Sequence, residues 1–327
     1  MSIHLTLSIN VFKGGSYFSQ TVRSVEQVAY LFDEVLISIT ETECYNEDLV
    51  SVEACRIPNL RLLKYPFAGC VNHFKNTIRN LKEGYVVFCG HDDWCIEEGL
   101  SEAKNIIDSA PFHPIAMYGS NEWKDEHTNE IQHYCNFDLE KHRVSLEEFV
   151  KKRTQTEFIL NVAGLVANVN SLKGYLTLMD SNRDGYWVDM LAINTPDVVC
   201  VHETSNPMFR VRMHNEQMSR NVFDIPQYYK ENIWFHYIQA VYTNDVFFKE
   251  ICYLEIVRMG DLLTPQSLIK YLIYITNASF KWPNLKITNK FFGLFAINKL
   301  ILRVVYYELK GKIIVTLGKI KKYLNHE

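Results

Sequence analysis

The stretch Tyr85-Val86-Val87-Phe88-Cys89 runs straight into Gly90-His91-Asp92-Asp93-Trp94. Five apolar residues in a row, rich in β-branched and aromatic side chains and closed by a glycine, predict a strand buried on both faces. Two acids then follow within four residues of the strand's end. Upstream, residues 69–82 read as a helix, residues 60–64 as a strand, and residues 34–39 (EVLISI) as another strand followed by a polar stretch, 40–48. Earlier still, Val22, Val25, Val28 and Leu31 recur at helical spacing behind a first apolar strand, 5–12, which Lys13-Gly14-Gly15-Ser16 breaks. Downstream, Leu100, Ala103, Ile106 and Ile107 mark a helix, and residues 115–118 a further strand. Short strands alternating with helices predict an α/β fold with a mainly parallel sheet flanked by helices. Ligands of such sheets bind beyond the carboxyl ends of the strands. The chemistry is therefore expected in the loops at 40–48 and 90–94.

The 327 residues, 47% hydrophobic and 22% charged, suit one large folded domain or one with a smaller companion. A net charge of −4 offers no general attraction to nucleic acid, and none is expected as a partner. That total conceals an asymmetry. Residues 281–327 hold ten Lys/Arg against two acids, a charge of +8, while the first 280 hold 24 bases and 36 acids, a charge of −12. From about residue 221 aromatics become dense and strands hard to place. A boundary near 225 is expected, with a catalytic domain over 1–225 and a helical, basic region over 226–327. On a helix starting at residue 291, Lys299, Arg303 and Lys310 fall within about 40° of one another. Leu294, Ile297, Ile301 and Val304 lie opposite. Such a helix either rests in an anionic membrane surface or packs on the body with its basic face in water. The eight cysteines form no C-x-x-C pair, and no stretch reaches about 18 uninterrupted apolar residues. With no secretory pattern at the first residues, the expectation is a cytoplasmic protein with free thiols, peripheral on the cytoplasmic face of the inner membrane.

Adjacent acids at a strand's end are costly to hold without a counter-ion. A divalent metal bridging to a diphosphate meets that need, because Mg²⁺ and Mn²⁺ prefer oxygen ligands. The plainer alternative is an acidic turn capping the helix that begins near Glu97. Further along, Arg212 and His214 alternate on one face of an extended segment, where Arg suits phosphate and His suits metal or phosphate. Their plainer alternative is a solvated loop.

Four motifs in order carry a resemblance. Asn10-Val11-Phe12-Lys13 is followed by Gly15, Tyr17, Thr21, Ser24 and Val25. Gly69, Phe74-Lys75-Asn76 and Gly84 lead into His91-Asp92-Asp93. Val188-Asp189 lies in GYWVDMLA, and Val211-Arg212-Met213-His214 precedes Ser219. Over residues 3–220 the sequence resembles the family 2 glycosyltransferases, nucleotide-sugar-dependent enzymes of the GT-A fold in surface polysaccharide assembly. The resemblance implies an inverting transfer to a hydroxyl of a glycan, lipid-linked in view of the tail. It implies Asp189 as the general base, with Asp180 and Asp184 as near neighbours in sequence. It implies Asn10, Phe12, Glu41, Lys75, Asp92 and Arg212 as donor-binding residues. Asp93, His91 and His214 are implied as ligands of Mn²⁺ or Mg²⁺.

The chain also departs from that pattern. His91 stands where the family has the first aspartate of its D-x-D, and Lys75 replaces an arginine. The second strand ends in Ile39-Thr40-Glu41-Thr42 rather than in paired aspartates, so Glu41 or Glu43 would have to meet the nucleotide base. A non-catalytic scaffold on a degenerate fold and a sugar nucleotidyltransferase are the alternatives. The second normally carries an arginine in the glycine-rich loop after its first strand, and Lys13-Gly14-Gly15 has none. Trp94, Trp123 and Trp187 suit sugar stacking, although burial is the commoner fate of Trp.

Overall fold

The computed structural model describes residues 3–67, 70–109, 116–134, 143–145, 163–174, 176, 198–200, 203–214, 302 and 306. The chain forms two compact units, Met1–Asn221 and Val222–Glu327. Asp180, Asp184, Trp187, Asp189 and Ser219 lie outside the described residues. So do the expected boundary near 225 and the C-terminal helices, apart from Leu302 and Tyr306, which are helical and exposed.

Apart from α2, the first unit begins as the sequence predicts: β1 (Leu5–Val11), α1 (Gly15–Val28), β2 (Glu34–Thr40), α2 (Tyr45–Glu53), β3 (Leu60–Tyr65), α3 (Cys70–Asn80) and β4 (Tyr85–Cys89). Then come β5 (Trp94–Cys95), α4 (Glu97–Ser109), β6 (Ala116–Asp125), β7 (Ile131–Tyr134), β8 (Arg143–Ser145), β9 (Leu165–Asn168), α5 (Val169–Gly174), β10 (Val198–Cys200) and β11 (Glu203–Met213). The main sheet has the order β3-β2-β1-β4-β9-β6-β11-β5, with β7 beside β6; β8 and β10 pair separately. Strands β1 to β4 are mutually parallel. Strand β9 runs against both β4 and β6, which turns β6 back into the common direction, and β11 is parallel to β6. The carboxyl ends of β1, β4 and β11 therefore open on the same edge.

The core explains the order of these elements. Leu5, Leu7, Ile9 and Val11 alternate onto one face of β1 and meet Phe18, Val22, Val25 and Val28 of α1 in one buried cluster. The other face of β1 carries Thr6, Ser8 and Asn10, all buried. Two hydroxyls on the buried side of α1 are absorbed locally: Thr21 donates to the Tyr17 carbonyl and Ser24 to that of Thr21. Ser24 Oγ also accepts the Cys95 amide at 3.0 Å, which pins β5 against α1. The stretch 40–48 is only partly loop. Helix α2 starts at Tyr45, and its weak apolar signature follows from its burying only Asp48 and Val52.

Candidate active site

Three loops meet at the common edge: 12–14 after β1, 41–44 after β2, and 90–93 after β4. The last turns sharply because Gly90 has no side chain. A Cβ there would lie 2.3 Å from Asp93 Oδ2 and 3.1 Å from Asp92 Oδ1. The turn aims its two acids differently. Asp92 Oδ2 pairs with His214 Nε2 at 3.0 Å, just beyond the end of β11. Asp93 is buried and its Oδ1 accepts the Arg212 amide at 3.3 Å. The Tyr17 ring stacks on His214 with centroids 4.4 Å apart. The Arg212 guanidinium lies 5.5 Å from the ring centroids of both Tyr17 and Trp94. Trp94 thus serves as a wall for an arginine.

This packing separates the two carboxylates chemically. Burial pushes Asp93 well above the usual carboxylate range, and the neighbouring Asp92 charge adds to the rise against the pull of Arg212. Burial also opposes ionisation of Asp92, but the His214 hydrogen bond and the charges of His91 and His214 outweigh it and hold Asp92 below that range. One carboxylate is thereby kept charged at the cleft while its neighbour is discouraged from charging.

The remaining predicted residues spread along the same edge. Phe12 stacks on the exposed Phe67 at 5.3 Å, with Lys13 Nζ 5.7 Å from its centroid. Lys13 also pairs with Glu43 at 2.7 Å. Glu41 is exposed, and its amide donates to the Tyr65 carbonyl. Asn10 lies deeper: its Oδ1 accepts from Thr77 of α3 at 2.7 Å, and its buried Nδ2 has no partner among the described residues. Lys75, on α3, is half-buried. The charge of His91 acts on Asp48, Asp92 and His73 alike, which places it among the converging loops.

Among the described residues no three His, Cys, Asp or Glu side chains gather as a metal site. Mg²⁺ is commonly held by one or two carboxylates plus substrate phosphates, without an all-protein cage. Asp92 fits that use, since His214 occupies only its Oδ2. Of the expected ligands, His214 pairs with Asp92, while Asp93 accepts the Arg212 amide.

No family model and no curated protein matches the chain by sequence. Solved structures do match. S. aureus TarS 1-349 in complex with UDP-GlcNAc superposes with a TM-score of 0.59 at 11% identity, over 94% of this chain and 92% of that one. The same TarS fragment in complex with UDP gives 0.54 at 12%, with the same coverage. The chain has the fold of this TarS fragment.

On this fold, several contacts escaped sequence reasoning. Asp48 of α2 accepts the Gly15 amide at 2.8 Å and that of Gly14 at 3.3 Å. His73 of α3 pairs with Ser38 of β2 at 2.6 Å, and burial lowers its pKa to about 4. Tyr17 was visible as a motif residue, but its stacking partner lies at the far end of the unit. No local pattern announces these pairs, because each joins separate elements.

Proposed function

We propose that the protein is an inverting, metal-dependent GT-A glycosyltransferase of the family 2 type. It would transfer a sugar, a hexose in the first instance, from a nucleotide-diphosphate donor to a glycan hydroxyl. The observation that carries this reading is the Asp92–His214 pair, where the ends of β4 and β11 meet beside the loop after β1. A charged carboxylate at that point suits a divalent ion shared with a diphosphate. The UDP-GlcNAc and UDP complexes of TarS support a donor of this class. Nothing beyond this class is implied for the sugar.

Bound there, the ion would supply charge neutralisation for the departing nucleotide. The protein's own part is to orient and to move one proton. Phe12 and Glu41 border the place for the base, and Asp92 would hold the ion that neutralises the diphosphate. Asp189 takes the proton of the attacking hydroxyl as it meets the anomeric carbon from the opposite face. One carboxylate base suffices because the leaving diphosphate needs no acid.

The acceptor in this proposal is a lipid-linked glycan of surface polysaccharide assembly, reached from the cytoplasmic face of the membrane. Its support is the +8 tail and the exposed Leu302 and Tyr306, one helical turn apart. No helix among the described residues is long and apolar enough to cross a membrane.

The test is a nucleotide-sugar panel read by thermal shift, with Mn²⁺ or with a chelator, followed by donor hydrolysis. A ligand that binds only the native state raises the melting temperature. A metal-dependent rise with one donor, and hydrolysis that disappears in Asp189→Asn, is expected. A rise without turnover would replace the enzyme with a scaffold, and no rise with any donor would overturn the proposal.

A further inference from the structure

We infer that Asp48 is the positioning residue of this site: it sets the turn after β1, and through that turn the stack of Tyr17 on His214. Its bearing on donor binding rests on the function proposed above. Helix α1 begins without a cap of its own, since Gly14 at its N-terminus has no side chain to offer. The first amides of a helix lack intrahelical partners, and a buried one needs an acceptor. Asp48 supplies both acceptors from a different helix, at 2.8 Å to Gly15 and 3.3 Å to Gly14.

The backbone is shaped for this grip. Lys13 and Gly15 both have φ of 53°, flanking a right-handed Gly14. Such alternation makes a concave nest of N–H groups that suits an anion. The nest is filled by the chain's own carboxylate. A Cβ on Gly14 would stand 2.8 Å from Asp48 Oδ1 and 2.6 Å from Phe18 Cβ, so the fit is close on several sides. Asp48 is fully buried and cannot itself reach a ligand in the cleft. What it controls lies three residues beyond Gly14: Tyr17, in the first turn of α1, whose ring covers His214 and sits beside Arg212. The Lys13–Glu43 pair outside is well exposed and adds little.

The experiment compares the full chain with Asp48→Asn and Asp48→Ala, at a temperature where circular dichroism shows all three folded. The asparagine keeps one oxygen for Gly15, so it guards against simple unfolding. The first readout needs no donor. A ring stacked at 4.4 Å shifts the His214 imidazole proton resonances upfield. In Asp48→Ala these resonances should move back downfield, with Asp48→Asn intermediate. The second readout is UDP affinity by calorimetry with Mn²⁺. Loss of hydrogen bonds to a charged acceptor predicts a drop of about tenfold or more for Asp48→Ala, with partial rescue in Asp48→Asn. Unchanged His214 resonances in a folded Asp48→Ala would overturn the inference. Wild-type protein that binds no nucleotide would instead count against the proposed function, and the resonances would still decide the role of Asp48.

Discussion

Asp92 and His214 hold each other in a place where neither has much water to fall back on. Replacing Asp92 by alanine leaves the His214 Nε2, on a residue only 7% exposed, without its acceptor. An orphaned buried polar group of this kind costs on the order of 1–3 kcal/mol. Asp92→Ala should therefore lower the urea midpoint by that equivalent and abolish metal-dependent UDP binding by calorimetry. A variant that keeps wild-type UDP affinity would remove Asp92 from the donor site. His73 makes a different prediction. Its pKa is lowered by burial to about 4, against the ordinary histidine value of 6.5, so the unfolded chain takes the proton first as pH falls. Stability from this group is full above pH 6.5, declines as pH drops below it, and levels off below about 4. That gap corresponds to about 3 kcal/mol. In urea titrations between pH 4 and 7, His73→Asn should lose this part of the pH dependence, and a slope identical to wild type would contradict it.

At the level of elements, helix α4 lies so close to β11 that Gly99 admits no side chain. A Cβ there would be 2.1 Å from the Pro207 carbonyl oxygen. Because that atom belongs to a sheet backbone, Gly99→Ala must move the helix. Overpacking of this kind costs roughly 1–3 kcal/mol. The melting temperature should fall, and UDP binding with it, since β11 carries Arg212 and leads into His214; unchanged values for both would show that the helix slides freely. Most of the parallel half of the sheet was legible in the sequence because β1, β2 and β4 are runs of buried residues closed by a turn. Helix α1 was legible through its apolar spacing. Helix α2 was not, since a helix that buries one acid and one valine shows little periodicity. Strand β5, two residues long, has no pattern to detect and exists through its pairing with β11. In the site, the edge and its acids could be read from the strand ends. The division of labour between Asp92 and Asp93 could not, because it depends on which of them meets the His214 ring and which is buried against the Arg212 amide.

For the whole molecule, the charge division between body and tail predicts behaviour at a membrane. Each basic residue near an anionic surface contributes about 1 kcal/mol, within a screening length of about 8 Å at physiological salt. The full chain should co-sediment with anionic vesicles, much less with neutral ones, and partly release in high salt. A chain ending at Asn221, the limit of the first compact unit, should lose vesicle binding yet still bind UDP. Vesicle binding that survives this truncation would place the contact in the first unit.

The insertion of β11 between β6 and β5 also has a consequence in time. Asp92 and His214 are 122 residues apart in the chain. At roughly 5–20 residues per second, a ribosome needs roughly 6–24 s to travel from one to the other. Throughout that interval the nascent protein has made β1 to β4 and their helices, while Asp92 waits for an imidazole that does not yet exist. Ribosome-bound chains arrested shortly before residue 203 should accordingly fail to retain UDP, and those arrested far enough beyond 214 to clear the exit tunnel should acquire it.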